Sequence, residues 1–195
     1  MKTLFRPALT LLLALTVVTG VLYPLAVTGV AQLLFGDAAN GSIIVHDGKA
    51  LGSSLIGQPF ADPKYFWGRP SATAPFANNS TSSGGSNQGP TNPALTDAVK
   101  QRIDALHAAD PDNTAPIPVD LVSASGSGLD PDISPAAARY QLARVARARG
   151  RGEAEIAALI EQANAGRQFG VLGESRVNVL HLNLLLDGGG SASAK

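Results

Sequence analysis

Pro7-Ala8-Leu9-Thr10-Leu11-Leu12-Leu13-Ala14-Leu15-Thr16-Val17-Val18-Thr19-Gly20-Val21-Leu22 opens a run that continues without a charged residue to Gly36. As a helix this run would be about 45 Å long at about 1.5 Å per residue. A hydrocarbon core of about 30 Å needs only about 20 such residues. The run is therefore long enough to span a bilayer. Lys2 and Arg6 precede it and Asp37 follows. Basic flanks stay in the cytoplasm, which places everything after Asp37 outside. The expected organisation is a cytoplasmic N-terminus over 1–6, a transmembrane helix over 7–36, one extracytoplasmic domain over 37–187 and a disordered tail over 188–195.

A cleaved signal peptide is the competing reading. Its apolar region holds about 7–15 residues and ends at a small-residue cleavage site. Here the apolar run is longer, and no clear A-x-A site follows its first half. A retained anchor is the expectation. Thr16, Gly20, Pro24 and Thr28 recur at every fourth position, a spacing of small residues that lets a neighbouring helix approach closely. Pro24 removes a backbone donor and should kink the helix.

Composition narrows the function classes. The chain has 195 residues, 15 basic and 15 acidic groups and no net charge. A nucleic-acid binder would show a basic excess. There is no cysteine, so an exported domain must hold itself by its core rather than by disulfides. That suits a bacterial-type periplasmic module. With 21 glycines and 13 prolines, the domain should be rich in loops.

In chain order, Ser42-Ile43-Ile44-Val45-His46 reads as a strand and Lys49-Ala50-Leu51-Gly52 as its return, with Asp47-Gly48 as the hairpin signal. Tyr65-Phe66-Trp67-Gly68-Arg69-Pro70 clusters aromatics among prolines. Such rings serve either as an exposed contact surface or as anchors buried under a long loop. Asn92 and Pro93 cap and open a helix with Leu95, Val99, Ile103 and Leu106 on one face, ended by Asp110-Pro111. Ile117–Val122 is expected to be extended. Ser134 and Pro135 open a second helix that runs to Gly150 and carries Arg139, Arg144, Arg147 and Arg149. Glu153 and Glu155 open a third, with Ile156, Leu159, Ile160 and Ala163 as its apolar face and Gly166 as its stop. The segment 178–187 alternates like a strand at first, but its leucines and the cap residue Asn178 favour a helix. The fold class is α+β: one membrane helix, then a small sheet with three to four helices.

Catalytic motifs are weak. Ser82–Pro90 is Gly/Ser-rich, but no G-K-[ST] follows to make a phosphate loop. Gln88 stands where a nucleophile elbow needs glycine. His46, His107 and His181 form no spaced ligand set, so no metal site is indicated. A serine hydrolase assembled from Ser86, His181 and an aspartate has no local support.

An ordered set of phrases carries more information than any of these. It includes Tyr23-Pro24-Leu25, Arg69-Pro70-Ser71, Ser83-Gly84-Gly85-Ser86-Asn87, Gly89-Pro90-Thr91-Asn92, Ile117-Pro118-Val119-Asp120-Leu121-Val122, Ser125-Gly126-Ser127-Gly128-Leu129-Asp130-Pro131, Arg167-Gln168-Phe169-Gly170 and Val177-Asn178-Val179-Leu180. Taken together over nearly the whole chain, they resemble the C subunit of the Kdp-type potassium-transporting P-type ATPase. The resemblance implies a one-span accessory subunit in the bacterial inner membrane, without catalytic residues of its own. Its implied partners are a channel-like potassium-binding subunit and an ATP-hydrolysing P-type subunit. ATP and potassium would be handled by the complex, with no cofactor bound by this chain itself. The implied role is to stabilise the assembly and, as a catalytic chaperone, to raise the ATP affinity of the hydrolytic subunit.

The resemblance also links a Gln-x-x-Arg motif, here Gln141-Leu142-Ala143-Arg144, to nucleotide binding. On a helix these side chains share a face. The topology read from Lys2 and Arg6 puts Gln141 and Arg144 outside, away from cytoplasmic ATP. Their alternative role is in the fold, or in a contact near the outer mouth of the channel-like subunit. The alternative for the whole chain is an anchored binding module unrelated to transport, with the segment around Trp67 as its contact.

Overall fold

The computed structural model describes residues 2–46 and 48–188. Asp47 of the expected hairpin turn, and the expected tail from residue 189 onward, lie outside the described residues. The chain divides into two units between Ile43 and Ile44.

The first unit is the apolar helix. Helix α1 (Lys2–Val17) passes through a π-helical turn at Val18–Leu22 into α2 (Tyr23–Leu34). The helix is long and apolar enough to cross a membrane, with a mean hydropathy of 2.1 over its best window and none of that window buried. It begins before Pro7 and stops before Gly36. The irregularity expected at Pro24 takes the form of the wide turn just before it, where the Tyr23 N–H reaches back to the Val18 carbonyl. Pro24 has no N–H to offer Gly20, and its ring would crowd that carbonyl. The wider turn makes room for both constraints, and Thr19 donates its hydroxyl to the Leu15 carbonyl at 2.7 Å one turn earlier. A short α3 (Gly36–Ala39) follows. The Gln32 and Asn40 side-chain amides close on each other at 3.1 and 3.2 Å.

The second unit is α+β. Strands β1 (Ile43–His46) and β2 (Lys49–Ser53) form a two-stranded sheet. A long loop region leads to α4 (Pro93–Ala109), whose cap Asn92 accepts from the Ala94 N–H. Strand β3 (Asp132–Ile133) precedes α5 (Pro135–Arg149), capped by Ser134 and closed by Gly150 in the left-handed region. Then come α6 (Glu153–Ala163), β4 (Asn164–Ala165), β5 (Arg176–Asn178) and α7 (Val179–Leu186). β5 is the centre of an antiparallel three-stranded sheet, with Ile133 opposite Val177 on one side and Asn164 opposite Val177 on the other.

The expectation for residues 117–122 changes here. Ile117–Val122 is not extended throughout, because Val119–Leu121 forms a 3₁₀ turn. The turn buries Leu121 and aims Asp120 at the start of α5, where its carboxylate accepts the Ser134 N–H at 2.7 Å. That tertiary contact outweighs the extended preference of the β-branched residues. The segment 178–187 forms the expected helix over Val179–Leu186, whose cap Asn178 accepts from the His181 N–H, and the three-residue strand β5 ends on that cap residue.

The core is built where α5, α6 and α7 meet the sheet. Val145, Ile156, Ile160, Val177 and Leu182 are fully or almost fully buried, and Phe66 joins them from the long loop region. The Gly/Ser-rich segments serve this packing. Gly84 donates its N–H to the Ser127 carbonyl and Gly57 to that of Leu129, both at 2.8 Å. Gly128 has a positive φ, and a Cβ there would fall 2.7 Å from the Gly84 carbonyl oxygen. Only glycine fits that crossing.

Candidate functional site

The segment Asp62–Arg69 crosses α5 and α7 without forming a strand: the Tyr65 N–H closes a turn on the Asp62 carbonyl at 3.0 Å, and the backbone beyond it has no strand partner. Buried backbone groups must find other donors and acceptors, and three polar side chains from the helices supply them. Gln141 on α5 accepts the Trp67 N–H at 2.8 Å and donates its amide to the Trp67 carbonyl at 3.1 Å. Asn183 on α7 does the same for Phe66, at 2.9 and 3.0 Å. Arg144, one turn beyond Gln141, donates to the carbonyls of Pro63 and Tyr65 and to the Gln141 side-chain oxygen. Each amide mimics a strand edge, and the loop is held as if it lay in a sheet.

These side chains are deep. Gln141 keeps 1% of its surface and Arg144 keeps 3%. A glutamine offers two amide protons and two carbonyl lone pairs. All four are engaged, because the amide also reaches the Ala137 carbonyl at 3.3 Å and the oxygen also accepts from Arg144 at 2.7 Å. A nucleotide would have to displace these bonds to be held by Gln141. The Arg144 guanidinium stacks over the Trp67 ring at 4.4 Å, a cation–π contact that strengthens as water is excluded. Among the described residues no carboxylate is in ion-pair contact with it, and burial pulls its pKa down to about 10.

The rim of the loop is more polar. Tyr65 donates its hydroxyl to Asp187 at 2.8 Å, and that bond, ahead of burial, raises its pKa. Arg149 lies over the Tyr65 ring at 4.9 Å and binds both the Lys64 carbonyl and Asp187. At the other end Arg69 pairs with Asp130 at 3.0 Å.

A cleft opens on each side of the loop. One, of about 380 Å³, lies between Phe60, Trp67 and Arg69 on the loop side and Arg102, Leu106 and Leu121 opposite. Arg102 donates to the Val122 carbonyl at 2.7 Å, and burial lowers its pKa. The other, of about 350 Å³, lies between Phe60 and Tyr65 and the α7 residues Leu180 and Leu184.

The structure therefore brings Gln141 and Arg144 together, as their spacing required, and places both against the aromatic segment. Asn183 and Asp187 complete the arrangement without having been singled out in the sequence, together with Arg149, which was read only as one of the arginines of α5. The only signal for Asn183 was a polar residue inside the leucine-rich stretch of α7. Of the aromatics, Phe66 is a buried anchor, while Trp67 is half-buried. The three histidines sit on β1, α4 and α7. Ser86 is exposed, and among the described residues no hydrogen bond joins it to His181.

Comparison with known proteins identifies the family. Residues 5–188 match the family described as KdpC: K+-transporting ATPase, c chain. The potassium-transporting ATPase KdpC subunit of Dechloromonas aromatica (strain RCB) is 66% identical over 187 residues, which cover 96% of this chain and 98% of that one. The protein of the same description from Methylococcus capsulatus is 66% identical over 183 residues, 94% of this chain and 96% of the relative. The one from Sorangium cellulosum is 61% identical over 183 residues, with the same coverage of 94% and 96%.

Proposed function

The chain belongs to the KdpC family, the c chain of K+-transporting ATPases, and from that premise we propose that it is a single-span, non-catalytic subunit that works on the outer side of the bacterial inner membrane. Its partners in this reading are the channel-like potassium-binding subunit and the ATP-hydrolysing subunit. One observation carries the proposal above the others: the helix Thr3–Leu34 presents an apolar surface of which none of the best window is buried. A surface of that size needs lipid or other membrane helices around it. Lys2 and Arg6 lie at its start, and the run beyond them is uncharged until Asp37, which supports a cytoplasmic N-terminus.

The subunit stabilises the assembly and raises the ATP affinity of the hydrolytic subunit through that assembly, without touching the nucleotide. Gln141 and Arg144 support this indirect route, since their bonding capacity goes to the aromatic loop. Gln141→Ala in the reconstituted complex tests it. The expected result is a lower yield of complex, while the complex that does assemble keeps the wild-type dependence of hydrolysis on ATP. A raised KM for ATP in fully assembled complex would assign Gln141 a direct nucleotide contact and overturn the indirect route.

A further inference from the structure

The loop between β4 and β5 inverts the usual rule that loop tips carry small or polar side chains. Phe169 is 93% exposed, Val171 72% and Leu172 57%. The loop is nevertheless tightly built. Gln168 and Leu172 form a two-way bridge, each N–H reaching the other's carbonyl at 2.9 Å, and the Val171 N–H returns to Gln168. Gly170 and Gly173 take positive φ, and so does Phe169, at 53°. A bulky residue rarely adopts that conformation, and strain of this kind clusters at binding sites.

We propose that the tip Phe169–Leu172 is a preformed plug that seats in an apolar socket on another subunit of the same ATPase. This rests on the subunit reading above and names the surface that reading uses. A rigid aromatic tip loses little freedom on docking, as interface anchors require. Charge argues for protein over lipid. Arg167 is paired with Glu174 at 2.6 Å and Arg176 with Asp132 at 3.0 Å. The loop therefore lacks the basic excess that draws apolar tips to anionic membranes.

The test places a photoreactive benzoylphenylalanine at position 169 of the full chain, co-expressed with its partner subunits. A cross-link to another subunit of the complex is expected. A cross-link only to lipid, only to a second copy of this chain, or to nothing would overturn the plug. Co-purification of the unsubstituted chain separates the two levels: partners present with no cross-link removes the plug alone, whereas partners absent removes the subunit reading and the plug with it. Phe169→Ser should leave the thermal melt unchanged and lower recovery of complex by about tenfold, the scale of an interface hot spot. Unchanged recovery would contradict the proposal.

Discussion

Two loops of the α+β unit carry aromatic residues and treat them in opposite ways. In the segment 62–69, Phe66 is buried, and the backbone around it is bonded by Gln141, Asn183 and Arg144. In the segment 167–174, Phe169 stands in solvent, and the loop is shaped by its own backbone and glycines. The first loop is fastened from outside by helices, and removing a fastener must disturb the fold. The second is self-contained, and its apolar surface is free for a partner. The difference shows that an aromatic cluster in sequence does not announce its role; the polar residues opposite it do.

The largest contrast expected is between the two phenylalanines. Phe66→Ala should destabilise the domain by about 3–5 kcal/mol, the usual cost of emptying a large core site. Phe169→Ala should change stability by less than about 0.5 kcal/mol, as surface substitutions do. Denaturant unfolding of both variants checks this, and comparable losses would erase the distinction. Next in size is Arg144→Ala. It removes donors from two carbonyls and from Gln141, and about 2–3 kcal/mol should be lost. A near-neutral result would mean that the aromatic loop holds itself.

Tyr65→Phe should have a smaller effect, about 0.5–1 kcal/mol at neutral pH for one hydrogen bond at the rim, and it has a pH signature. The bond to Asp187 raises the folded-state pKa above the ordinary tyrosine value of 10.0. Its contribution is therefore fully present below the unfolded-state value and is lost as pH rises through the folded-state one. The wild-type protein should lose stability above about pH 10 more steeply than Tyr65→Phe. Parallel curves would show that the Tyr65–Asp187 bond is not maintained in solution.

Much of this molecule is legible in its sequence, for definite reasons. The long apolar helix follows from an uncharged run, and α4, α5 and α7 follow from Asn92, Ser134 and Asn178 at their caps, all local signals. The Gln141 and Arg144 pair stood out through the family resemblance, and helix geometry placed the two on one face. Their purpose was not visible, since the Trp67 backbone they hold lies 74 residues from Gln141 in the chain. The 3₁₀ turn at Val119–Leu121 escaped for the same reason: its cause is the Asp120 contact with Ser134, a tertiary event. The exposed tip at Phe169 escaped because sequence shows that a residue is apolar, not whether anything covers it.

The side of the membrane on which the domain stands decides between indirect and direct effects on ATP. Ser86 is exposed, and the chain has no cysteine of its own, so Ser86→Cys gives a single reporter. Spheroplasts expressing the complex would be treated with a membrane-impermeant maleimide before and after lysis. Full labelling before lysis is the result expected for an outer domain that acts on its partners. Labelling only after lysis would put Gln141 and Arg144 on the side of ATP and contradict that account.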